Sequence, residues 1–124
     1  GVIIDDSYNA SPSSARAAID VLAASNGRRV MVLGDMAELG VDAEKYHQQV
    51  GSYALDAGID ALYTLGSLSA FASASFNGQH FADLDLLKEP LLEEARCSDL
   101  TLLVKGSRSS QMDRIVDMLM AEKI

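Results

Sequence analysis

Short apolar runs alternate with helix-like segments along the chain, and this alternation constrains the fold more than any other feature of the sequence. Five runs are predicted to form strands: Val2-Ile3-Ile4, Arg29–Leu33, Ala61–Leu65, Gln79–Phe81 and Leu100–Val104. The segments between them carry apolar residues at helical spacing. Strand–helix alternation specifies a mostly parallel sheet with helices on both faces, joined by right-handed crossovers. The sequence therefore predicts a single α/β domain over residues 1–124, a Rossmann-like three-layer sandwich.

Several helix boundaries are also marked in the sequence. Ser11 followed by Pro12 is typical of a helix start, with a capping hydroxyl and proline in the first helical position. The second helix is predicted from about Asp42 to Ala57, where Gly58 would end it. Its inward face is expected at Tyr46, Val50, Tyr53 or Ala54, and Ala57. Pro90 indicates either a helix that begins near it or a longer helix that is kinked there.

Composition excludes several classes of function. The 124 residues carry a net charge of -8, and the ten Lys and Arg residues form no run, so nucleic acid is not expected as a partner. Cys97 is the single cysteine, which excludes an internal disulfide and a Cys-based metal site and fits a reducing cytoplasm. No apolar run reaches the roughly 20 residues needed to span a bilayer. We expect a cytoplasmic, monomeric domain, and the start at Gly1 suggests a piece excised from a longer chain.

Ligands of open parallel sheets gather at the carboxyl ends of the strands, so the loops that follow the strands are the segments to examine. The first such loop, residues 5–12, contains Asp5, Asp6, Tyr8 and Asn9. A carboxylate at a strand end can accept both hydroxyls of a ribose. The alternative is that these residues only form turns and cap the following helix.

Two further strand-end loops carry charge. In residues 34–40, Asp35 and Glu38 could hold an ammonium group or a cationic side chain, although the flanking glycines could equally serve as turns. In residues 105–110, Lys105 and Arg108 stand beside serine hydroxyls at a predicted helix start, which favours an anion site. Arg108 would grip a carboxylate with two hydrogen bonds, whereas Lys105 would act as a point charge. The alternative is a serine-capped helix with two solvated cations.

Other reactive residues show no functional pattern. His47 and His80 have no Cys or His neighbour at metal spacing, so both are interpreted as structural and no metal site is expected. Cys97 lacks a nearby cationic cluster and is interpreted as inert. The phosphate loop GxxxxGK(S/T), the GxGxxG fingerprint and the GxSxG elbow are all absent. We therefore expect no catalytic residue here and no nucleotide-driven chemistry by this chain alone.

Four segments in order resemble the third domain of the Mur ligases: DDSYNASP at 5–12, GDMAELG at 34–40, HQQVG at 47–51 and VKGSRS at 104–109. The resemblance spans essentially the whole chain. GDMAELG together with KGSRS is typical of the family members that add D-alanyl-D-alanine to UDP-N-acetylmuramoyl-tripeptide during peptidoglycan synthesis. In the family, an amino-terminal domain binds the uridine nucleotide and a central domain with the phosphate loop binds ATP and Mg²⁺. The third domain closes over that ATP site.

The resemblance also implies roles for individual residues. Asp6 resembles the acid that meets the ATP ribose, with Tyr8 and Asn9 on the same face. Lys105, Ser107 and Arg108, with Asp35 nearby, resemble the end of the pocket that receives D-alanyl-D-alanine. Ser11 stands where many relatives have Asn, which puts any amide contact there in doubt.

Two alternatives remain open at this stage. A ligase that extends folate with glutamate shares the domain plan, but it should not carry GDMAELG with KGSRS. A free-standing flavodoxin-like nucleotide-binding or signalling module would need an Asp at the end of a central strand and a Lys at the end of a later one, and Asp35 and Lys105 meet that requirement superficially.

Overall fold

The computed structural model describes residues 1–7, 11–107 and 110–122. The strands are β1 (Val2–Asp6), β2 (Arg29–Gly34), β3 (Ala61–Leu65), β4 (Gln79–Phe81) and β5 (Thr101–Lys105). The helices are α1 (Pro12–Ala23), α2 (Ala43–Asp56), α3 (Ser69–Phe76), α4 (Leu84–Ala95) and α5 (Asp113–Glu122), and a 3₁₀ turn at Gly40–Asp42 precedes α2. The strands form one sheet in the order β1-β5-β2-β3-β4, and every described pairing is parallel.

Two apolar clusters show that helices cover both faces of the sheet. Met31 and Leu33 of β2 pack with residues of α1, α2 and α3 on one face. Val30 and Val32 of the same strand pack with residues of α4 and α5 on the other. This alternation follows from the strand period of two, which points successive side chains to opposite faces. The predicted α/β three-layer sandwich with a parallel sheet is thus confirmed.

The strand predictions hold, but β1 and β5 end further along the chain than expected, at Asp6 and Lys105. The parallel ladder between β1 and β5 continues through Asp5 and Val104 to the pair Asp6 and Lys105. Both residues therefore belong to strands, although their charge suggested a loop. Because they are register partners on adjacent strands, their side chains are brought to the same edge of the sheet.

Helix starts are as predicted, whereas the inward face of α2 is only partly so. Ser11 caps α1 through a reciprocal capping box with Ser14. In α2 the buried residues are His47, Val50, Gly51 and Ala54. Ala57 is partly buried and packs against the core, as expected. The choice of Tyr46 was less accurate, since it is only partly buried and its neighbour His47 takes the buried position. Pro90 lies inside α4, so of the two alternatives for this proline the longer helix is the one observed.

A buried carboxylate joins three elements on the α4 face of the sheet. Glu94 of α4 accepts two hydrogen bonds from the Arg28 guanidinium, at 2.6 and 2.8 Å, and one from the Tyr63 hydroxyl at 2.7 Å. The bonds from Arg28 hold the pKa of Glu94 below its usual value, against the opposing effect of burial. Burial and the bond to Glu94 raise the pKa of Tyr63 to about 12.

Glu94→Gln is expected to lower the free energy of unfolding at pH 7 by about 1.5 kcal/mol, because a charge-assisted pair becomes neutral. A depressed folded-state pKa contributes stability that is present above the ordinary carboxyl pKa and is lost as the pH falls below it. The difference between wild type and variant should therefore shrink below about pH 4. Urea unfolding of the chain at pH 7 and pH 3 measures both values. Glu93→Gln is the matched control, since Glu93 forms an exposed ion pair with Arg96. An equal loss of stability in the control would contradict this account.

Candidate functional site

Asp6 and Lys105 form an ion pair at the carboxyl edge of the sheet. The Lys105 ammonium donates to Asp6 Oδ2 at 2.8 Å. The Lys105 side chain is 1% exposed, whereas that of Asp6 is 45% exposed. The Asp6 carboxylate is thus accessible at the edge of the sheet, whereas the Lys105 ammonium is buried. Tyr8 and Asn9, which the sequence placed beside Asp6, lie outside the described residues.

Asp5 and Ser7 fix the end of β1. The Ser7 hydroxyl donates to Asp5 Oδ1 at 2.6 Å, and the Ser7 amide donates to the same oxygen at 3.2 Å. Ser7 is 2% exposed, so this bond satisfies a buried hydroxyl. Asp5 therefore stabilises the turn after β1, which was the alternative to a ligand-binding role. Asp6 is the acid that lies beside Lys105.

Asp35 ties together the loops that follow three strands. Its Oδ1 accepts the Ser69 amide at 2.7 Å and its Oδ2 accepts the Ser67 amide at 3.1 Å, so it secures the start of α3. Its carbonyl oxygen accepts the Ser107 amide at 3.3 Å. Gly66 adopts φ +112°, and a Cβ there would lie 2.6 Å from Asp35 Oδ1. A side chain at position 66 would therefore displace the Asp35 carboxylate that holds the start of α3.

The loop after β5 is anchored on both sides. Ser107 is 6% exposed, and its carbonyl accepts the Ser110 amide at 3.1 Å and the Ser110 hydroxyl at 2.6 Å. A Cβ on Gly106 would collide with Met112 and Ser110, so only glycine lets the start of α5 pack against this loop. Arg108, the predicted carboxylate ligand, lies outside the described residues, and its role stays a prediction.

The GDMAELG and HQQVG segments are joined by a buried histidine. The Met36 amide donates to His47 Nε2 at 3.0 Å, while His47 Nδ1 lies 2.7 Å from the Ala43 carbonyl oxygen. Gly51 packs against the backbone of Ala72 in α3 so closely that a Cβ would overlap the Ala72 carbonyl. His47 is therefore structural, as expected. His80 lies 2.7 Å from the Thr64 hydroxyl and Cys97 2.7 Å from Asp99, consistent with structural positions for both.

A groove that the sequence did not suggest opens at the same edge. It measures about 190 Å³ and lies between the ends of β3 and β4 and the start of α5. Leu65, Ala82 and Leu84 supply apolar walls, and Gln111 and Arg114 supply polar groups. Its size is below the roughly 300–1,000 Å³ of drug-sized pockets, so it suits a small ligand. Sequence reasoning missed Arg114 because a lone arginine on an amphipathic helix is normally a solvated residue.

The described part of the chain shows neither a metal-binding cluster nor a membrane-spanning helix. Residues 1–7, 11–107 and 110–122 contain no group of three or more His, Cys, Asp or Glu side chains that could hold a metal ion. Within the same ranges, no helix has both the length and the apolar character to cross a bilayer.

The chain is similar to known proteins along most of its length. The family described as Mur ligase, glutamate ligase domain, matches residues 1–108. The chain belongs to the Mur ligase family. It is 49% identical over 117 residues to the UDP-N-acetylmuramoyl-tripeptide–D-alanyl-D-alanine ligase of Escherichia coli, a match that covers 93% of this chain and 26% of that protein. The chain thus spans about a quarter of the length of the curated relatives it matches.

Solved structures of Mur ligases agree with the fold. The crystal structure of MurF from Acinetobacter baumannii superposes with a TM-score of 0.86 at 30% identity and covers 95% of this chain and 27% of its own. The MurF ligase of Thermotoga maritima, solved in complex with ADP, superposes with a TM-score of 0.82 at 24% identity and covers 97% and 28%. Membership of the Mur ligase family disfavours the reading of a free-standing signalling module.

Proposed function

We propose that this chain is the third, carboxyl-terminal domain of the Mur ligase that joins D-alanyl-D-alanine to UDP-N-acetylmuramoyl-tripeptide in peptidoglycan synthesis. The observation that carries this proposal is the 49% identity to the Escherichia coli ligase of that name across 93% of the chain. The carboxyl edge supports it, because the ligand-binding edge of a parallel sheet here carries an exposed acid, Asp6, and a following loop whose sequence contains Arg108. The setting is the bacterial cytoplasm, and the complete enzyme acts as a monomer.

The reaction is an ATP-dependent amide synthesis. The γ-phosphoryl group of ATP passes to the carboxylate of the tripeptide and ADP leaves. The dipeptide amine then attacks the acyl phosphate, so that the carbon–nitrogen bond forms, the amine loses a proton and phosphate leaves. ATP and Mg²⁺ bind mainly to the central domain, which lies outside this chain. The residues of this domain bind and orient the substrates: Asp6, Tyr8 and Asn9 contact the nucleotide, and Ser107, Arg108 and Asp35 belong to the dipeptide side.

The arrangement of the edge gives this division a physical basis. Asp6 is the last residue of β1, and Ser107 follows the adjacent strand β5. In this proposal the nucleotide contacts and the dipeptide contacts are therefore neighbours along the edge of the sheet. The groove lined by Gln111 and Arg114 adjoins the dipeptide loop and offers room for methyl groups beside polar side chains. Holding two reactants in one geometry lowers the barrier to their reaction.

The complete ligase containing this domain is expected to release ADP when given UDP-N-acetylmuramoyl-tripeptide, ATP and D-alanyl-D-alanine. The isolated chain should release none, because it lacks a phosphate loop. A coupled ADP assay with L-alanyl-L-alanine in place of the dipeptide is the stereochemical control. Activity of the complete protein with glutamate and a folate, and none with the dipeptide, would favour the folate-extending ligase instead.

A further inference from the structure

The strongest unassigned feature of the edge is the burial of Lys105. Its side chain is 1% exposed, and its ammonium lies 2.8 Å from Oδ2 of Asp6, its register partner on β1. Strand β5 lies between β1 and β2, and Lys105 is expected on the same face of the sheet as Leu103, which packs in the core beneath α1, α2 and α3. A buried ammonium is retained only where a paired acceptor offsets its lost hydration.

This geometry decides between two roles for Lys105. A lysine that held the dipeptide carboxylate would have to present its ammonium to the ligand, and the observed ammonium is almost fully withdrawn from solvent. Asp6 is the partner that reaches the surface, with 45% of its side chain exposed. The ion pair therefore limits the rotamers of the exposed carboxylate while leaving part of it accessible.

We propose that Lys105 is a positioning residue for the nucleotide: it holds the Asp6 carboxylate in the orientation that accepts the ribose hydroxyls of ATP. This inference rests on the proposed function, because it takes Asp6 to be the acid that meets the nucleotide. It replaces the direct contact between Lys105 and the dipeptide that the sequence suggested. A carboxylate oriented in advance loses less side-chain entropy on binding, so its orientation contributes to affinity for ATP.

The test is a double-mutant cycle in the complete ligase, with the Michaelis constants for ATP and for the dipeptide measured separately. Asp6→Asn should raise the KM for ATP by roughly 10-fold or more, as expected for loss of a charged hydrogen-bond acceptor. Lys105→Met, which removes the charge and keeps the length, should raise it by roughly 5- to 10-fold. The double variant should resemble Asp6→Asn alone, because both changes remove the same interaction. The KM for D-alanyl-D-alanine should stay within about 2-fold.

Two further variants separate positioning from general stability. Glu94→Gln weakens the ion pair with Arg28 on the α4 face and should reduce stability without changing the KM for ATP. If Lys105→Met does not fold, Lys105→Gln keeps a hydrogen-bond donor near Asp6 and should show a smaller rise in the KM for ATP than Asp6→Asn does.

The outcomes distinguish this inference from the function on which it rests. A wild-type KM for ATP in Asp6→Asn would remove the nucleotide role of Asp6, and the inference with it. A raised KM in Asp6→Asn with no change in folded Lys105→Met or Lys105→Gln would overturn the inference alone. A rise confined to the dipeptide KM in either Lys105 variant would restore direct substrate binding and also overturn it.

Discussion

Asp35→Ala is expected to lower the free energy of unfolding by about 3 kcal/mol, because each hydrogen bond to a charged group contributes roughly 1.5–3 kcal/mol. The substitution removes the acceptors of the Ser67 and Ser69 amides together, and it leaves the start of α3 without its only described side-chain acceptor. Part of the loss is recovered by hydration, since this loop is partly exposed. Urea unfolding of the chain at neutral pH gives the value.

Asp83→Ala is the matched control for this prediction. Asp83 caps α4 through one bond to the Asp85 amide at 2.9 Å in an exposed position, so its loss should cost about 1 kcal/mol. Equal effects of the two substitutions would show that Asp35 is an ordinary cap. An unchanged stability in Asp35→Ala together with a raised dipeptide KM in the complete ligase would instead assign Asp35 to direct substrate binding.

Local sequence signals were sufficient to predict most of the architecture. Strand runs such as Ala61–Leu65 are bounded by turn residues, and Ser11 with Pro12 marks a helix start by local chemistry alone. The alternation of such elements leaves few topologies, and a parallel sheet covered on both faces is the one observed. The same argument gave the candidate site, since ligands of parallel sheets bind at the carboxyl ends of strands, and its ligand contacts stay a prediction.

What the sequence could not give are relations between residues far apart in the chain. Lys105 was predicted to be a loop cation in an anion site, whereas it is a buried strand residue paired with Asp6, 99 residues away. Tyr46 was wrongly expected on the buried face of α2. The buried positions there depend on the hydrogen bonds of His47 and on the close packing of α3 against Gly51, and hydrophobic periodicity indicates neither. The groove beside Arg114 arises only when β3, β4 and α5 meet.

Arg108→Ala is the other prediction with a large expected effect. Arg108 follows the buried strand β5 in the sequence, and a guanidinium can hold a carboxylate with two hydrogen bonds. Its loss should weaken use of D-alanyl-D-alanine by roughly 10- to 150-fold, the range of one charged hydrogen-bonding interaction. Arg108→Lys should recover only part, because one ammonium cannot reproduce the paired contact.

Steady-state kinetics of the complete ligase, with each substrate varied in turn, test the central claim that this domain receives the dipeptide. In Arg108→Ala the kcat/KM for D-alanyl-D-alanine should fall by the stated factor, while the KM values for ATP and the uridine nucleotide stay within about 2-fold. Arg96→Ala is the control and should change none of these constants, since this residue at the end of α4 forms an exposed ion pair with Glu93. Wild-type dipeptide kinetics in a folded Arg108→Ala enzyme would contradict the account.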